Sequence, residues 1–287
     1  MTSADVAAPT VEYLEARDGT PLALHAWCPD APQAVIFYLH GIQSHAGWLF
    51  QTGPELGRRR VGLYVLDRRG SGQSGGSRGD VPSVATLLED YAGVAARVAA
   101  HHPGLPFVAL GQSLGGGILA GLVATGRFRP DALLFCAPAI AQVRAKLSPE
   151  QRAEILAREE SLSPHDVGLQ DTDYTSLPEY LEFMKRDPLM LREITGRARA
   201  AFYRLELLYE QEGGAWPRLP SALIMPRQDP IIRLEAAKTV LSQWAGPHLM
   251  TCEFPCTEHY LEFSPARVAY WNWVAAFAKS RGWTEPC

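Results

Sequence analysis

The stretch VALGQSLGGG, Val108–Gly117, sets one serine, Ser113, among glycines directly after an apolar run. Glycine costs conformational entropy on folding, so a cluster of them needs a reason. The pattern Gly111-x-Ser113-x-Gly115 lies between a predicted strand, 106–111, and a predicted small-residue helix reaching about residue 125. That context calls for a very tight strand-to-helix turn that lifts the serine hydroxyl clear of the sheet edge. Side chains two residues before and after the serine would clash, which explains Gly111 and Gly115. The helix aims its first amides at the same spot and favours a developing negative charge there. Ser113 is therefore the candidate nucleophile.

A serine hydroxyl attacks only when a base takes its proton. In a strand–turn–helix architecture of this kind the chain order is serine, acid, histidine, each following a strand. His259 fits as base, after the last predicted strand in FPCTEHYLEF. His101 and His102 end a helix, His165 lies in a helical segment, His248 is at the wrong end of a strand, and His25 precedes the serine. Asp229, in PRQDPII after the strand SALIM, is the expected acid; Glu258, Asp166, Asp171 and Asp173 are the alternatives. The oxyanion would be met by the Leu114 amide and by a second amide from LHGIQSHAGW, assigned to Ile42, where Gly41 lets the backbone turn close to the site. His40 and His45 in that loop could be read as a metal pair. No acidic third ligand is near them in sequence, so they are read as bracing the loop by hydrogen bonds.

Farther out, strands and helices alternate. TVEYLEA and PLALHAW flank an Asp-Gly turn signal and form a predicted hairpin. AVIFYLHG, VGLYVLD, PFVALG and ALLFCAP are apolar runs suited to strands buried on both faces. Residues 81–102 carry helical apolar spacing. The rhythm predicts an α/β chain with a mostly parallel central sheet flanked by helices. It breaks at about Ile140, where helical periodicity without a clear strand runs to about Arg218, and resumes with SALIMP and HLMTCEFP. The expected division is a core of residues 1–139 and 219–287 with a helical insertion, 140–218, after the sixth strand. Nine apolar residues of the insertion, among them Tyr180, Phe183, Met184 and Met190, would line an acyl pocket or, for most of them, form its own core.

The chain has 287 residues, 47% hydrophobic and 20% charged, with a net charge of −4. That balance leaves no basic footprint for nucleic acid or an anionic membrane surface. No apolar run approaches the roughly 20 residues of a membrane span, and MTSADVAAPT lacks a signal-peptide pattern, so a cytoplasmic protein is expected. Five cysteines, scattered and without a C-x-x-C pair, argue for neither a disulfide framework nor a zinc site.

With these residues in place, the chain resembles the α/β-hydrolase fold superfamily over nearly its whole length. Within it the chain is similar to the monoacylglycerol lipase, lysophospholipase and serine-aminopeptidase-like group. HGIQSH (His40–His45) looks like that group's HGxxxH oxyanion loop, DRRGSGQS (Asp67–Ser74) like its D-x-x-G-x-G-x-S loop, and GQSLGG (Gly111–Gly116) like its nucleophile turn. RDPL (Arg186–Leu189) resembles part of its cap. The chain departs from the group at Ile42, which is bulkier than usual, in its long insertion, and in the PRQD acid loop. The resemblance implies a Ser113–Asp229–His259 triad under a helical lid, with no cofactor and no metal. It implies a small-molecule acyl ester or thioester as substrate, turned over through an acyl-enzyme. Homo-oligomerisation is compatible with it. A carrier-directed thioesterase or acyltransferase would share the triad. An aminopeptidase would need an acidic lid group such as Glu159, Glu160 or Asp187, and no pattern singles one out. A non-catalytic binding protein would be expected to lack a triad member.

Overall fold

The computed structural model describes residues 8–212 and 216–281. Ten strands and ten helices of the described residues are, in chain order, β1 (Thr10–Glu15), β2 (Pro21–Trp27), β3 (Ala34–Leu39), α1 (Thr52–Arg58), β4 (Val61–Leu66), α2 (Val84–His101), β5 (Phe107–Gln112), α3 (Leu114–Ala124), β6 (Ala132–Cys136), α4 (Gln142–Lys146), α5 (Pro149–Leu156), β7 (Pro164–Asp166), α6 (Asp171–Tyr174), α7 (Pro178–Arg186), β8 (Glu193–Thr195), α8 (Gly196–Glu212), β9 (Ser221–Pro226), α9 (Leu234–Ala245), β10 (Leu249–Phe254) and α10 (Arg267–Lys279). Eight strands form one sheet in the order β1-β2-β4-β3-β5-β6-β9-β10. Only β2 runs against its neighbours; every pairing from β4 to β10 is parallel.

The continuous apolar runs become the central strands because both faces of the sheet are covered. On β3, Val35, Phe37 and Leu39 face the layer of α2, α3, α8 and α9, while Ile36 and Tyr38 face α1 and α10. The alternation is the period-two geometry of a strand, with both sets of side chains apolar. Helix α2 starts where Ser83 caps it, its Oγ accepting from the Thr86 N–H at 3.0 Å. Helix α3 can lie close to the sheet because three glycines, Gly115–Gly117, follow Leu114 in its first turn: a Cβ on Gly115 would strike the Leu39 carbonyl, and one on Gly116 would strike Pro138.

Five helices, α4 to α8, sit between β6 and β9. The sequence shows no strand there, yet β7 and β8 pair as a short antiparallel ribbon. Three-residue strands carry too few alternations to register as a period-two pattern. Tyr180, Met184 and Met190 of this segment are buried in one cluster with Trp48 and Phe263, and Phe183 packs against it, so these side chains form core. Cys28, Cys136 and Cys256 are free thiols, whereas Cys252 is disulfide-bonded, a bond that the scattered cysteines did not announce.

Candidate active site

Ser113 is the single residue between the end of β5 at Gln112 and the start of α3 at Leu114, with φ 52° and ψ −121°. A non-glycine residue at positive φ stores strain of order 1–3 kcal/mol and persists only where its surroundings demand it. Here the demand is steric. Gly111 lies so close to the start of α3 that a Cβ would sit 2.5 Å from the Gly115 carbonyl, and the Ser113 carbonyl accepts from Ala139 at 2.7 Å. The serine is 6% exposed.

His259 follows β10 and is fully buried. Its Nδ1–H donates to Asp229 Oδ2 at 2.8 Å. The other carboxylate oxygen of Asp229 accepts from the Ile231 and Ile232 N–H groups at 2.8 and 2.7 Å. Burial opposes the charge on Asp229, but His259 and the two amides outweigh it and hold the carboxyl below its ordinary pKa. Glu258, the neighbour in sequence, turns away to accept from Ser176 Oγ at 2.6 Å. The structure thus brings Asp229 and His259 into direct contact. No hydrogen bond joins Ser113 Oγ to the ring among the described residues; the Nε2 of His259 meets Gln112 Nε2 at 3.2 Å instead.

The loop after β3 comes beside the serine. Gly41 does not have positive φ, so its glycine serves close approach rather than turning: a Cβ there would stand 2.7 Å from Gln112 Oε1 and 3.4 Å from Ser113 Cβ. No described residue's backbone carbonyl accepts from the Ile42 N–H. Leu114 is the first residue of α3, where helix amides are unpaired by geometry. His40 donates from Nδ1 to the Gly41 carbonyl at 2.8 Å and accepts at Nε2 from the Arg68 N–H at 2.9 Å. Burial, aided by Arg68, lowers its pKa to about 3 and keeps it neutral. His45 donates to Asp187 at 2.9 Å and accepts from the Gly47 N–H at 3.1 Å. All four ring nitrogens are spent on protein partners.

Nothing in the pattern of the DRRGSGQS motif marks what its individual residues touch; the structure shows it. Arg68 is buried, and its guanidinium donates to the carbonyls of Gly41 and Ile42 at 3.0 and 2.8 Å while stacking over Phe202 of α8. It fixes the orientation of two successive peptide carbonyls of the loop. Asp67 accepts from Ala46 N–H at 2.7 Å, Gln73 N–H at 2.8 Å and His25 Nε2–H at 3.0 Å. Burial pushes its carboxyl up, but His25 and the amide donors prevail and set the pKa at about 2, against 3.8 ordinarily. The folded pKa is depressed, so this stabilisation is full above about pH 4 and disappears as pH falls through about 2. We expect Asp67→Asn to lose about 2 kcal/mol of unfolding free energy at pH 6. In urea titrations the gap between variant and wild type should narrow between pH 4 and pH 2.

The segment between β6 and β9 is tied to both site loops. Asp187 accepts from His45 and from Trp48 Nε1, and Tyr174 donates to Gln43 Oε1 at 2.8 Å. On the histidine side, the Tyr260 N–H donates to the Tyr174 carbonyl, and Thr175 Oγ1 donates to the Phe263 carbonyl. The Tyr174 ring stands edge-on to His259 at 5.8 Å. Asp187, one of the acids considered for holding an amine, is committed to this tie.

Comparison with known proteins fits this geometry. The family model for serine aminopeptidase, S33, matches residues 30–264. Monoacylglycerol lipase of Mycolicibacterium smegmatis is 29% identical over 187 residues, 60% of this chain and 62% of that protein. Human monoglyceride lipase is 35% identical over 111 residues, covering 37% of this chain and 35% of its own length. The chain thus spans less than two thirds of either relative. Among solved structures, a soluble variant of monoglyceride lipase from Saccharomyces cerevisiae superposes with a TM-score of 0.84 over 97% of both chains at 18% identity. A carboxyl esterase from Bacillus coagulans gives 0.80 at 17% identity, over 96% of this chain and 100% of its own. The sheet order, the serine turn and the length of the family match lead to one conclusion: the chain belongs to the serine aminopeptidase, S33 family and has the α/β-hydrolase fold.

Proposed function

We propose that the protein is a serine hydrolase of carboxylic esters, acting on small or lipid-like acyl esters of the monoacylglycerol or lysophospholipid type. The observation that carries this reading is the strained Ser113 on its turn, beside a buried histidine whose far nitrogen is held by Asp229. The names of the two sequence relatives, monoacylglycerol lipase and monoglyceride lipase, support the monoacylglycerol part of that range. In this reading Ser113 Oγ attacks the ester carbonyl carbon while His259 Nε2 takes its proton. The carbonyl π electrons move onto oxygen, which the Ile42 and Leu114 amides receive. Each such donor is typically worth about 10²- to 10³-fold in rate. The imidazolium then gives its proton to the departing alkoxide, and the acyl group stays on Ser113. Water, deprotonated by His259, attacks the acyl-enzyme and releases the acid. Asp229 keeps the proton on Nδ1 and stabilises the imidazolium.

Residues 140–218 would act as a lid over residues 1–139 and 219–287, docked through Asp187 and Tyr174. No helix among the described residues is long and apolar enough to cross a membrane. The test is hydrolysis of a p-nitrophenyl ester ladder from acetate to palmitate, with a matched acyl thioester alongside. Turnover that rises to an optimum chain length is expected. Absence of turnover on every ester removes the proposal, and turnover confined to the thioester moves the function to acyl-carrier chemistry.

A further inference from the structure

Gln112 is the last residue of β5 and is 1% exposed. Its Nε2 lies 3.2 Å from His259 Nε2. Protons decide the sense of this contact. Asp229 is held ionised, so His259 Nδ1 carries a hydrogen and donates to it. Neutral imidazole then offers a lone pair at Nε2, and only the amide N–H of Gln112 can donate to it. The other end of the carboxamide, Oε1, has no partner among the described residues, although it is buried. That oxygen packs against the bare Cα of Gly41, where a Cβ would come within 2.7 Å of it. Buried polar groups are normally paired, and an orphaned carbonyl oxygen marks an arrangement held at a cost. The lone pair that Gln112 occupies is the one that must receive the Ser113 proton.

We propose that Gln112 is a positioning residue that latches the resting site, its carboxamide holding His259 Nε2 until an entering acyl group displaces it. The latch rests on the serine-hydrolase reading for its consequence, though not for its contact. It keeps the imidazole in the Nδ1–H tautomer while no substrate is present. It also makes acylation wait on a carboxamide rotation. Because Gln112 is 1% exposed, its carboxamide has little solvent with which to exchange this bond.

Two measurements on the full chain test it. The first is spectroscopic and independent of activity. Protein labelled with ¹⁵N should show a scalar coupling across the N–H···N bond between Gln112 Nε2 and His259 Nε2. The coupling should persist in Ser113→Ala and be absent in Gln112→Met. The second is the rate of inactivation by a serine-directed p-nitrophenyl phosphonate at pH 8. Gln112→Met keeps the bulk and removes the donor, and should react roughly three- to tenfold faster than wild type, the weight of one ordinary hydrogen bond. Gln112→Asn, too short to reach the ring, should react like Gln112→Met, which guards against a packing defect in either variant. A missing coupling in wild type, or variants that both react no faster than wild type, overturns the latch. If the phosphonate fails to label wild type, the hydrolase reading falls instead, and the coupling still decides whether the contact exists.

Discussion

Ser113→Ala should reduce ester hydrolysis by about 10⁴-fold or more, to the level that binding and oxyanion donors supply without a nucleophile. The loss is expected in kcat, with KM little changed, because the hydroxyl contributes bonding only as the carbonyl is attacked. Folding should barely notice. The hydroxyl makes no hydrogen bond to His259 among the described residues, and alanine at φ 52° carries the same strain as serine. Ser113→Gly offers an internal control, since glycine tolerates that conformation. It should be as inactive as Ser113→Ala but more stable by about 1 kcal/mol in urea. Retained turnover in both variants would remove the nucleophile assignment. Equal stability of the two would remove the claim that the turn is strained.

The second large effect is expected at Asp229→Asn, and the structure dictates its direction. Asp229 Oδ1 accepts from two backbone N–H groups, Ile231 and Ile232. An asparagine must keep its carbonyl oxygen there, because an NH₂ facing two donors would leave all of them unpaired. Its NH₂ is then forced toward His259 Nδ1. That nitrogen becomes an acceptor, and the ring proton moves to Nε2. A histidine protonated at Nε2 cannot take the serine proton. Activity should fall by about 10³- to 10⁴-fold with the backbone geometry intact. Phosphonate labelling of Ser113, followed by mass spectrometry, should slow in parallel. If Asp229→Asn hydrolyses the best ester within tenfold of wild type, another carboxylate orients the ring. Glu258→Gln would then be the next variant, since Glu258 is the other acid at that loop.

These two effects draw on contacts with different origins. The Ser113 turn is local: five residues and two flanking elements suffice to build it. The Asp229–His259 pair joins the ends of two neighbouring parallel strands, β9 and β10, and depends on their register. Asp229 lies three residues beyond Pro226 and His259 five residues beyond Phe254, two residues paired across the strands. Parallel neighbours end at the same edge of a sheet, so their exit loops meet there.

Much of the fold was legible in the chain itself. Runs such as Ala34–Leu39, Phe107–Gln112 and Ser221–Pro226 are buried throughout and, apart from Gln112 and Ser221 at strand ends, without polar side chains except the Tyr38 hydroxyl, a pattern suited to a strand covered on both faces. The glycines around Ser113 announced the turn, because each removes a specific clash with Leu39, Pro138 or the turn itself. The ribbon of β7 and β8 stayed hidden, as three residues cannot display a period. What the sequence by itself determined, then, was the alternation of elements, the serine turn and the chain order of candidate site residues. The tertiary structure alone decided which side chains meet across long separations. Asp187 reaches His45 from 142 residues away, and Gln112 reaches His259 from 147. Arg68 braces the loop of Gly41 and Ile42 for a similar reason. Such contacts depend on sheet order and helix packing, which bring together side chains whose own sequence neighbourhoods carry no mark of the partner.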